Sequence, residues 1–473
     1  MSDLKKLDAA TLVIFGITGD LAKRKLLPAL YYLATQSLLP SKLKILGVSR
    51  SGTTVDTVIE NIRQSITQKD SVADEAALDL LKGTLEIVSM DLLDTDAYVA
   101  LGKRLDEIEN EVGLCMSRLY YLAIPSQVFS PVIDQLGKGG LNHACQHGQL
   151  SRLLIEKPFG YDTASAEELI EQLHTYFKEE QIYRIDHYLA KETVQNILVF
   201  RFQNPLFQHA WDNKGISSIT ITASEKIDIE GRSTFYEQTG ALRDFIQGHL
   251  LQLLALTTMD QPGDLTSDAI HREKLKLLRS ITPIKPDAVE TLALRGQYDG
   301  YLDEVDNPDS LTETYAALKL HIDTERWRNV PILLRTGKAL EQNVVDITVV
   351  FSHKDDRTQN NILTMRIQPQ AGISLQLKAK EPGFSNKIKT VHMDFSYDTS
   401  FAGTEGHPDA YERVLMDAFS GDSTLFTTAD EALASWHIIE NVIHEWSKDS
   451  IPLLTYDKGS RGPQAAVEFE QSR

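Results

Sequence analysis

Cysteine is nearly missing from this sequence: Cys115 and Cys145 are the only two in 473 residues. Two thiols are too few for a disulfide framework, and no CxxC or Cys/His cluster offers a zinc site, so no metal is expected. The scarcity points to a reducing cytoplasm. Long apolar runs are missing as well. None reaches the roughly 20 residues that a membrane-spanning helix needs. The opening "MSDLKKLDAATLVIF" has no long apolar stretch before a small-residue cleavage site, so no export signal is expected. Positive charge is in deficit: 48 Lys and Arg against 67 Asp and Glu leave a net charge of −19. A chain this acidic repels phosphate backbones and anionic lipid, which disfavours nucleic-acid and membrane partners. A small anionic ligand would need a local island of positive charge. Internal repeats and low-complexity linkers are also absent.

What remains is ordinary globular composition, with 42% hydrophobic and 24% charged residues. At roughly 150 residues per domain the length predicts about two to four domains. "TLVIFGITGDLAKRKLLPALYYL" reads as a buried parallel strand, Thr11 to Phe15, then a turn with Gly16 and Gly19, then an amphipathic helix carrying Leu21, Leu26, Leu27 and Leu30. Such a turn aims backbone N–H groups and a helix N-terminus at a phosphate. The full G-x-G-x-x-G is absent, so these residues alone fit an ordinary βα turn equally well. The second strand, "KLKILGVSR", ends in Ser49 and Arg50, with Ser51 following. An acid there would favour NAD; an arginine pairs with a 2′-phosphate and favours NADP, although a solvated loop cation is the alternative. "TLEIVSMDL", "SRLYYLAIP" and "RLLIEKPFG" continue the βα pattern. Asp91, Tyr121 to Pro125 and Glu156 to Gly160 stand at strand ends, where open α/β sheets bind ligands. Lys157, at the tip of an apolar strand, could touch coenzyme and substrate together.

The pattern changes near residues 180 to 185, predicting a Rossmann-like coenzyme domain over 1–183 and an α+β domain over 184–473. In the latter, "ISSITITASEK", "VVDITVVFSH", "NILTMRIQP", "GISLQLKAK" and "KIKTVHMDFSY" predict a large, mainly antiparallel sheet. Helical stretches are expected around 241–259, 272–279 and 409–446. In "YRIDHYLAKETVQNI", a helical reading puts His187 and Lys191 on one face with Arg184 a turn back, able to hold a phosphate, and Asp186 on another side. "GALRDFIQGHLLQLLALTTM" is apolar nearly all round and therefore a buried helix. Asp244 and His249 are costly there unless paired. On an ideal α-helix they stand about 140° apart, so either the site wraps round the helix or the helix is distorted.

"GITGDLAKRKLLPAL", "YYLAIP", "IEKPFG", "YRIDHYLAKETVQN", "EGRSTFYEQTGALRDFIQGHLLQ", "RWRNVPILLRTGKAL" and "PDAYERVLMDAFSGDSTLF", in this order, resemble the glucose-6-phosphate dehydrogenase family along essentially the whole chain. The resemblance implies oxidation of glucose 6-phosphate at C1, with hydride passed to NADP and NAD as second choice. It implies a homodimer or homotetramer assembled through the large sheet. His249 resembles the general base and Asp186 the carboxylate that orients it. His187 and Lys191 resemble phosphate ligands, with Tyr188 assisting. Glu225, Asp244 and Lys338 resemble ligands of the sugar hydroxyls. Lys157 resembles the bridge between sugar and coenzyme, and the resemblance makes the bond before Pro158 a candidate cis peptide. Gly16, Ile17, Thr18, Gly19, Asp20, Leu21 and Arg50 fall to the coenzyme, with Asp91 and Tyr121 at strand ends beside it. The chain departs from the family pattern at Ala190 (glycine), Gly248 (asparagine), Asn343 (a second basic residue) and Arg461 (tryptophan). Two other readings are a glucose–fructose oxidoreductase type of enzyme, which acts on unphosphorylated sugar, and a non-catalytic NADP-binding regulator.

Overall fold

The apolar runs of the first third become strands buried on both faces, as helix-covered parallel sheets require. In the computed structural model, which describes residues 7, 9–50, 52–68, 72–143, 151–352, 360–401, 408–448 and 450–471, β1 (Ala10–Phe15) is buried at all six positions. β2 (Leu43–Ser49), β3 (Leu85–Ser89), β4 (Ser117–Leu122), β5 (Arg152–Ile155) and β6 (Ile182–Ile185) pair with it in parallel in the order β6-β5-β4-β1-β2-β3. Alternate side chains feed two cores. Leu119 and Tyr121 go to one face, Tyr120 and Leu122 to the other.

Ser51, in the Arg50 turn, and Cys145 lie outside the described residues. Cys115 is disulfide-bonded. Among the described residues no helix is long and apolar enough to cross a membrane.

The chain divides into two compact units, residues 1–160, 164–190 and 407–429 forming the first, 161–163, 191–406 and 430–473 the second. The first unit recovers a distant segment: helix Ala410–Ser420 packs into its core, and the two-residue strand β16 (Phe426–Thr427) pairs antiparallel with β6.

The helical reading of "YRIDHYLAKE" is corrected. Residues 182–185 are strand β6, and residues 187–190 form a turn. The Asp186 side chain closes that turn by accepting from the Tyr188 amide at 2.9 Å, while its carbonyl accepts from the Leu189 amide at 3.0 Å. The helix starts only at Glu192, with Lys191 as its N-cap. Ile182, Tyr183 and Ile185 suit a pleated strand, and edge pairing on both sides outweighs a periodicity shared by few residues.

The second unit holds a ten-stranded sheet in the order β15-β14-β13-β12-β7-β11-β10-β9-β17, with β8 beside β10. Its strands are β7 (Ile216–Ser224), β8 (Ile281–Thr282), β9 (Ala293–Tyr298), β10 (Tyr315–Ile322), β11 (Ile332–Gly337), β12 (Val344–Phe351), β13 (Ile362–Gln368), β14 (Gly372–Lys380), β15 (Ile388–Ser396) and β17 (Leu454–Tyr456). Val345, Ile347 and Val349 alternate inward along β12. The sheet is mainly antiparallel as expected, but β7 runs parallel to β11 and β9 to β17. The predicted buried helix exists over Leu242–Thr258, as a π-helical segment (Leu242–Leu250) followed by an α-helix (Leu251–Thr258).

Candidate active site

The β1 turn is built around a glycine that nothing can replace without movement. Gly16 has φ +84°, and a Cβ there would stand 2.5 Å from the Ala123 carbonyl oxygen. The turn therefore lies directly on the backbone following β4. The amides of Gly16 and Ile17 both donate to the Val48 carbonyl, and that of Gly19 to Gly16, so these three fix the loop. Ile17 locks it from below, its side chain buried against Gly47. The helix begins at Asp20, and its first-turn amides are the ones an α-helical ladder leaves without acceptors. Beside this turn opens a cleft of about 450 Å³, lined by Gly16, Thr18, Gly19, Ser49, Arg50 and Asp91 among others. Thr18 and Ser49 hydroxyls meet at 3.3 Å on its wall. Arg50 is exposed, at the rim. The strand-end rule thus brings Gly16, Thr18, Gly19, Arg50 and Asp91 together. Tyr121 it does not: this side chain is fully buried in the core on one face of the sheet, away from the cleft lining.

Tyr121 instead donates to Glu156 at 2.6 Å. Glu156 stands one residue past β5, and the Tyr411 phenol bonds it as well. Burial pushes the Glu156 carboxyl up to about 7, against the pull of both phenols and of the Lys157 charge; the Asp186 charge adds to the rise. Lys157 and Asp186 follow neighbouring parallel strands and meet at 3.2 Å, with Asp186 fully enclosed and Lys157 one-fifth exposed. The Lys157–Pro158 bond is cis, as the resemblance suggested. An enclosed carboxylate needs such a partner, since desolvation of an unpaired one costs several kcal/mol. His187, half-buried, packs its ring against Tyr188 at 4.9 Å between centroids and lies nearly parallel to Tyr411, at 6.3 Å and 16°. Arg184 leaves the predicted phosphate face: it is buried in β6 and makes two hydrogen bonds to Glu179, at 2.7 and 3.1 Å. Ala190 is buried in the apolar core, so its extra methyl group is packed rather than exposed.

In the second unit the same strand-end logic recurs. Gly337 pairs with Ser224 across parallel β7 and β11, so the next residues, Glu225 and Lys338, emerge side by side and bond at 2.5 Å. The Lys338 ammonium lies over the rings of Tyr236 and Phe245, 5.5 and 6.0 Å from their centroids. Burial holds the Tyr236 phenol well above its ordinary range, and the charges of Asp244, Glu313 and Glu225 add to the effect. Glu225 and Lys338 therefore meet beside one buried ring, whose phenol also feels the Asp244 charge.

The conflict over Asp244 and His249 disappears in the π-helix. Its i→i+5 ladder stacks residues five apart, so the helix is the distorted one of the two alternatives. His249 is buried and meets Phe245 edge to face at 5.6 Å. Lys191 reaches Gln368, at the end of β13, at 2.5 Å. Asn343 is exposed, and Arg461 donates to Glu341 at 2.8 Å. Sequence reading placed Glu156 at a strand end without giving it a role, and missed Tyr236, Phe245 and Gln368. For Glu156 the signal was an acid directly after the apolar run of β5. The others look like ordinary core or strand residues.

Residues 13–196 match the family model described as the glucose-6-phosphate dehydrogenase NAD binding domain, and residues 198–473 match the C-terminal domain of the same family. Glucose-6-phosphate 1-dehydrogenase of Chlamydia muridarum is 39% identical, over 97% of this chain and 94% of its own length. A solved glucose-6-phosphate dehydrogenase in complex with its substrate glucose 6-phosphate superposes with a TM-score of 0.91 at 34% identity, covering 98% of each chain. Glucose-6-phosphate 1-dehydrogenase from Mycobacterium avium does so at 0.84 and 34%, covering 98% of this chain and 97% of its own.

Proposed function

This chain belongs to the glucose-6-phosphate dehydrogenase family, and from that premise we propose that it oxidises glucose 6-phosphate at C1 to the 6-phosphogluconolactone, with hydride passed to NADP. The observation that carries the reaction is the identity of 39% maintained over 97% of the chain. Relatives of that identity lend nothing to the glucose–fructose oxidoreductase or non-catalytic readings.

The residue roles divide between the units. In the first, the turn Gly16 to Leu21 holds the coenzyme pyrophosphate: Gly16, Ile17 and Gly19 shape the loop, and the amides of Thr18, Asp20 and Leu21 face the anion. A nicotinamide dinucleotide bound here supplies the hydride acceptor. Arg50, at the rim of the cleft, pairs with a 2′-phosphate and selects NADP over NAD. Asp91 lines the same cleft, and Tyr121 supports it from the core. Lys157 bridges sugar and coenzyme. His187, with Tyr188, holds the 6-phosphate, and Lys191, the first residue of the second unit's segment 191–406, supplies a point charge to the same group. In the second unit Glu225, Lys338 and Asp244 bind sugar hydroxyls. His249 takes the C1 hydroxyl proton as hydride departs, and Asp186 orients the imidazole and stabilises its cation.

A homodimer or homotetramer built on the large sheet is part of this reading. Ile388, Val391 and Met393 lie exposed along the edge strand β15, a surface that a second copy would cover. A cytoplasmic location fits a substrate and coenzyme whose phosphates keep them where they are made.

The decisive experiment is NADPH formation with glucose 6-phosphate in wild type and His249→Asn. Turnover in wild type, and its loss in the variant while substrate still binds, is expected. An active variant would reject His249 as the base; no turnover in wild type would reject the reaction.

A further inference from the structure

The buried helix that carries the proposed base ends in a cage of three large side chains, Arg201, Trp211 and Trp327, each 3% exposed or less. The last bond inside the helix runs from the Met259 amide to the Ala255 carbonyl, at 2.8 Å. The carbonyls of residues 256 to 259 have no helical amide ahead of them, as at any helix C-terminus. Each is met by a side chain of the cage. Arg201, near the end of helix Glu192–Phe202, donates to the carbonyls of Leu256 and Met259, both at 2.7 Å. The Trp211 indole donates to Thr257 at 2.8 Å and the Trp327 indole to Thr258 at 2.7 Å. The Arg201 guanidinium also stands over the rings of Phe202 and Trp211, 4.5 and 5.6 Å from their centroids. Among the described residues no carboxylate bonds it, so its charge faces the negative end of the helix dipole. Burial and the nearby Arg326 charge pull this guanidinium down to about 9, against the pull of Asp260, and it stays charged at neutral pH. At the opposite end of the helix the Glu313 carboxylate accepts the Leu242 amide at 2.8 Å, and its carbonyl accepts the Ala241 amide at 2.9 Å.

Both ends of the helix are thus tied to residues distant in the chain. Between them Leu242–Leu250 is π-helical, and i→i+5 bonding packs more residues into each turn than an α-helix does. Such a segment could relax to α only if one end of the helix slid and turned about its axis, breaking the bonds at that end. On α geometry Asp244 and His249 would stand about 140° apart. Apolar contacts alone tolerate such a slide; directional bonds from two indoles and a guanidinium to particular carbonyls do not. The geometry points to Arg201, Trp211 and Trp327 as positioning residues for the proposed base: they pin the C-terminal carbonyls of its helix, keep the π segment from relaxing, and so hold His249 and Asp244 on one face. This rests on the reading of His249 as the base.

The test uses the full chain with glucose 6-phosphate and NADP, well below its melting temperature. Arg201→Met removes the guanidinium at similar length. Trp327→Phe keeps an aromatic ring and removes only the N–H donor, and it serves if the methionine variant fails to fold. Each leaves a buried carbonyl unmet, so kcat should fall about tenfold or more for Arg201→Met and about threefold or more for Trp327→Phe. The acid limb of the kcat/KM profile reports the base of the free enzyme, and it should move by about half a pH unit or more in both. NADP should bind within about twofold of wild type, since the coenzyme turn belongs to the first unit. A loss of rate equal at every pH, with the acid limb unmoved, would mean a purely structural role and overturn the inference. His249→Asn separates the two levels: if it keeps its turnover, the reading of the base itself falls; if it loses turnover while the two cage variants keep wild-type kcat and acid limb, only the inference falls.

Discussion

Gly240 is where a single methyl group should disable the second unit without touching any proposed ligand. Its backbone has φ 63° and ψ 178°, a region held almost only by glycine, and a side chain there costs about 1–3 kcal/mol. The new Cβ would also stand 2.7 Å from the Cδ and 2.8 Å from Oε2 of Glu313. Glu313 cannot simply retreat. Its carboxyl is buried, with its protonation midpoint raised by that burial. It accepts the Leu242 amide at 2.8 Å, and its carbonyl accepts the Ala241 amide at 2.9 Å. Those bonds tie down the entry of the π-helix that carries Asp244 and His249. Losing one buried bond to a charged group adds about 1.5–3 kcal/mol.

Together, Gly240→Ala should cost about 3–5 kcal/mol, a large share of the ordinary 5–15 kcal/mol of a folded domain. The unfolding midpoint of the second unit should drop by on the order of 10 °C. Well below that midpoint, kcat should fall more than about tenfold because the π-helix loses its anchor, while NADP affinity, a property of the first unit, stays unchanged. Calorimetry, steady-state kinetics and coenzyme titration on one preparation check the three statements. A variant that melts within about a degree of wild type and turns over normally would refute the account of Gly240. So would an equal loss of coenzyme affinity, since the damage would then not be local.

Arg50→Ala should raise KM for NADP by about tenfold or more, the worth of a charge-assisted contact, and change KM for NAD less than about twofold; equal losses measured with the two coenzymes would remove the 2′-phosphate role. Glu156→Gln tests the buried acid through pH. Its folded midpoint, about 7, is raised above 4.5, so its neutral form favours the folded state: that stability is complete below about pH 4.5 and is lost as pH rises through 7. Wild type should therefore lose about 2–3 kcal/mol between pH 5 and pH 8 that the glutamine variant retains, seen as a flatter dependence of the melting point on pH. Parallel profiles for the two proteins would mean that Glu156 does not titrate there.

Much of this was legible in the sequence because one rule, ligand groups at the ends of buried parallel strands, needs only short apolar runs to apply. Thr11 to Phe15, the run before Arg50 and the run before Lys157 all became strands; the ends of the first two line one cleft, and Lys157 meets Asp186 at the end of the neighbouring strand. The failures are those of local periodicity. Spacing placed Arg184, His187 and Lys191 on a helix face, but pairing of β6 with β5 and β16 took Arg184 into the core, where Glu179 claims it. β16 itself is two residues long, too short to leave a pattern. The π-helix was visible only as a contradiction: two costly polar residues, five apart, that an α-helix could not put on one face. Tyr121 shows the limit of the strand-end rule. Alternation decides which face a strand residue takes, and on a sheet covered on both faces sequence does not say which face holds the ligand.

The two units are built differently, yet each positions a carboxylate–lysine pair by the same means. Lys157 and Asp186 follow β5 and β6; Glu225 and Lys338 follow β7 and β11. In each case the strands are parallel neighbours, so their chains leave the sheet on the same side and the next residues meet without a long loop. Antiparallel neighbours cannot do this, because one chain leaves where the other enters. That gives a reason for parallel pairing at β7 and β11 within a sheet that is otherwise mainly antiparallel. The connection between them is long, from Ser224 to Ile332, and includes the buried helix with Asp244 and His249. Parallel strands need a long crossover; here the crossover carries the proposed base, and the strand ends it joins carry the proposed sugar ligands. Shortening that connection would therefore remove the proposed base itself, whereas the turn at residues 381–387 between β14 and β15 closes a hairpin and holds none of the residues assigned a role.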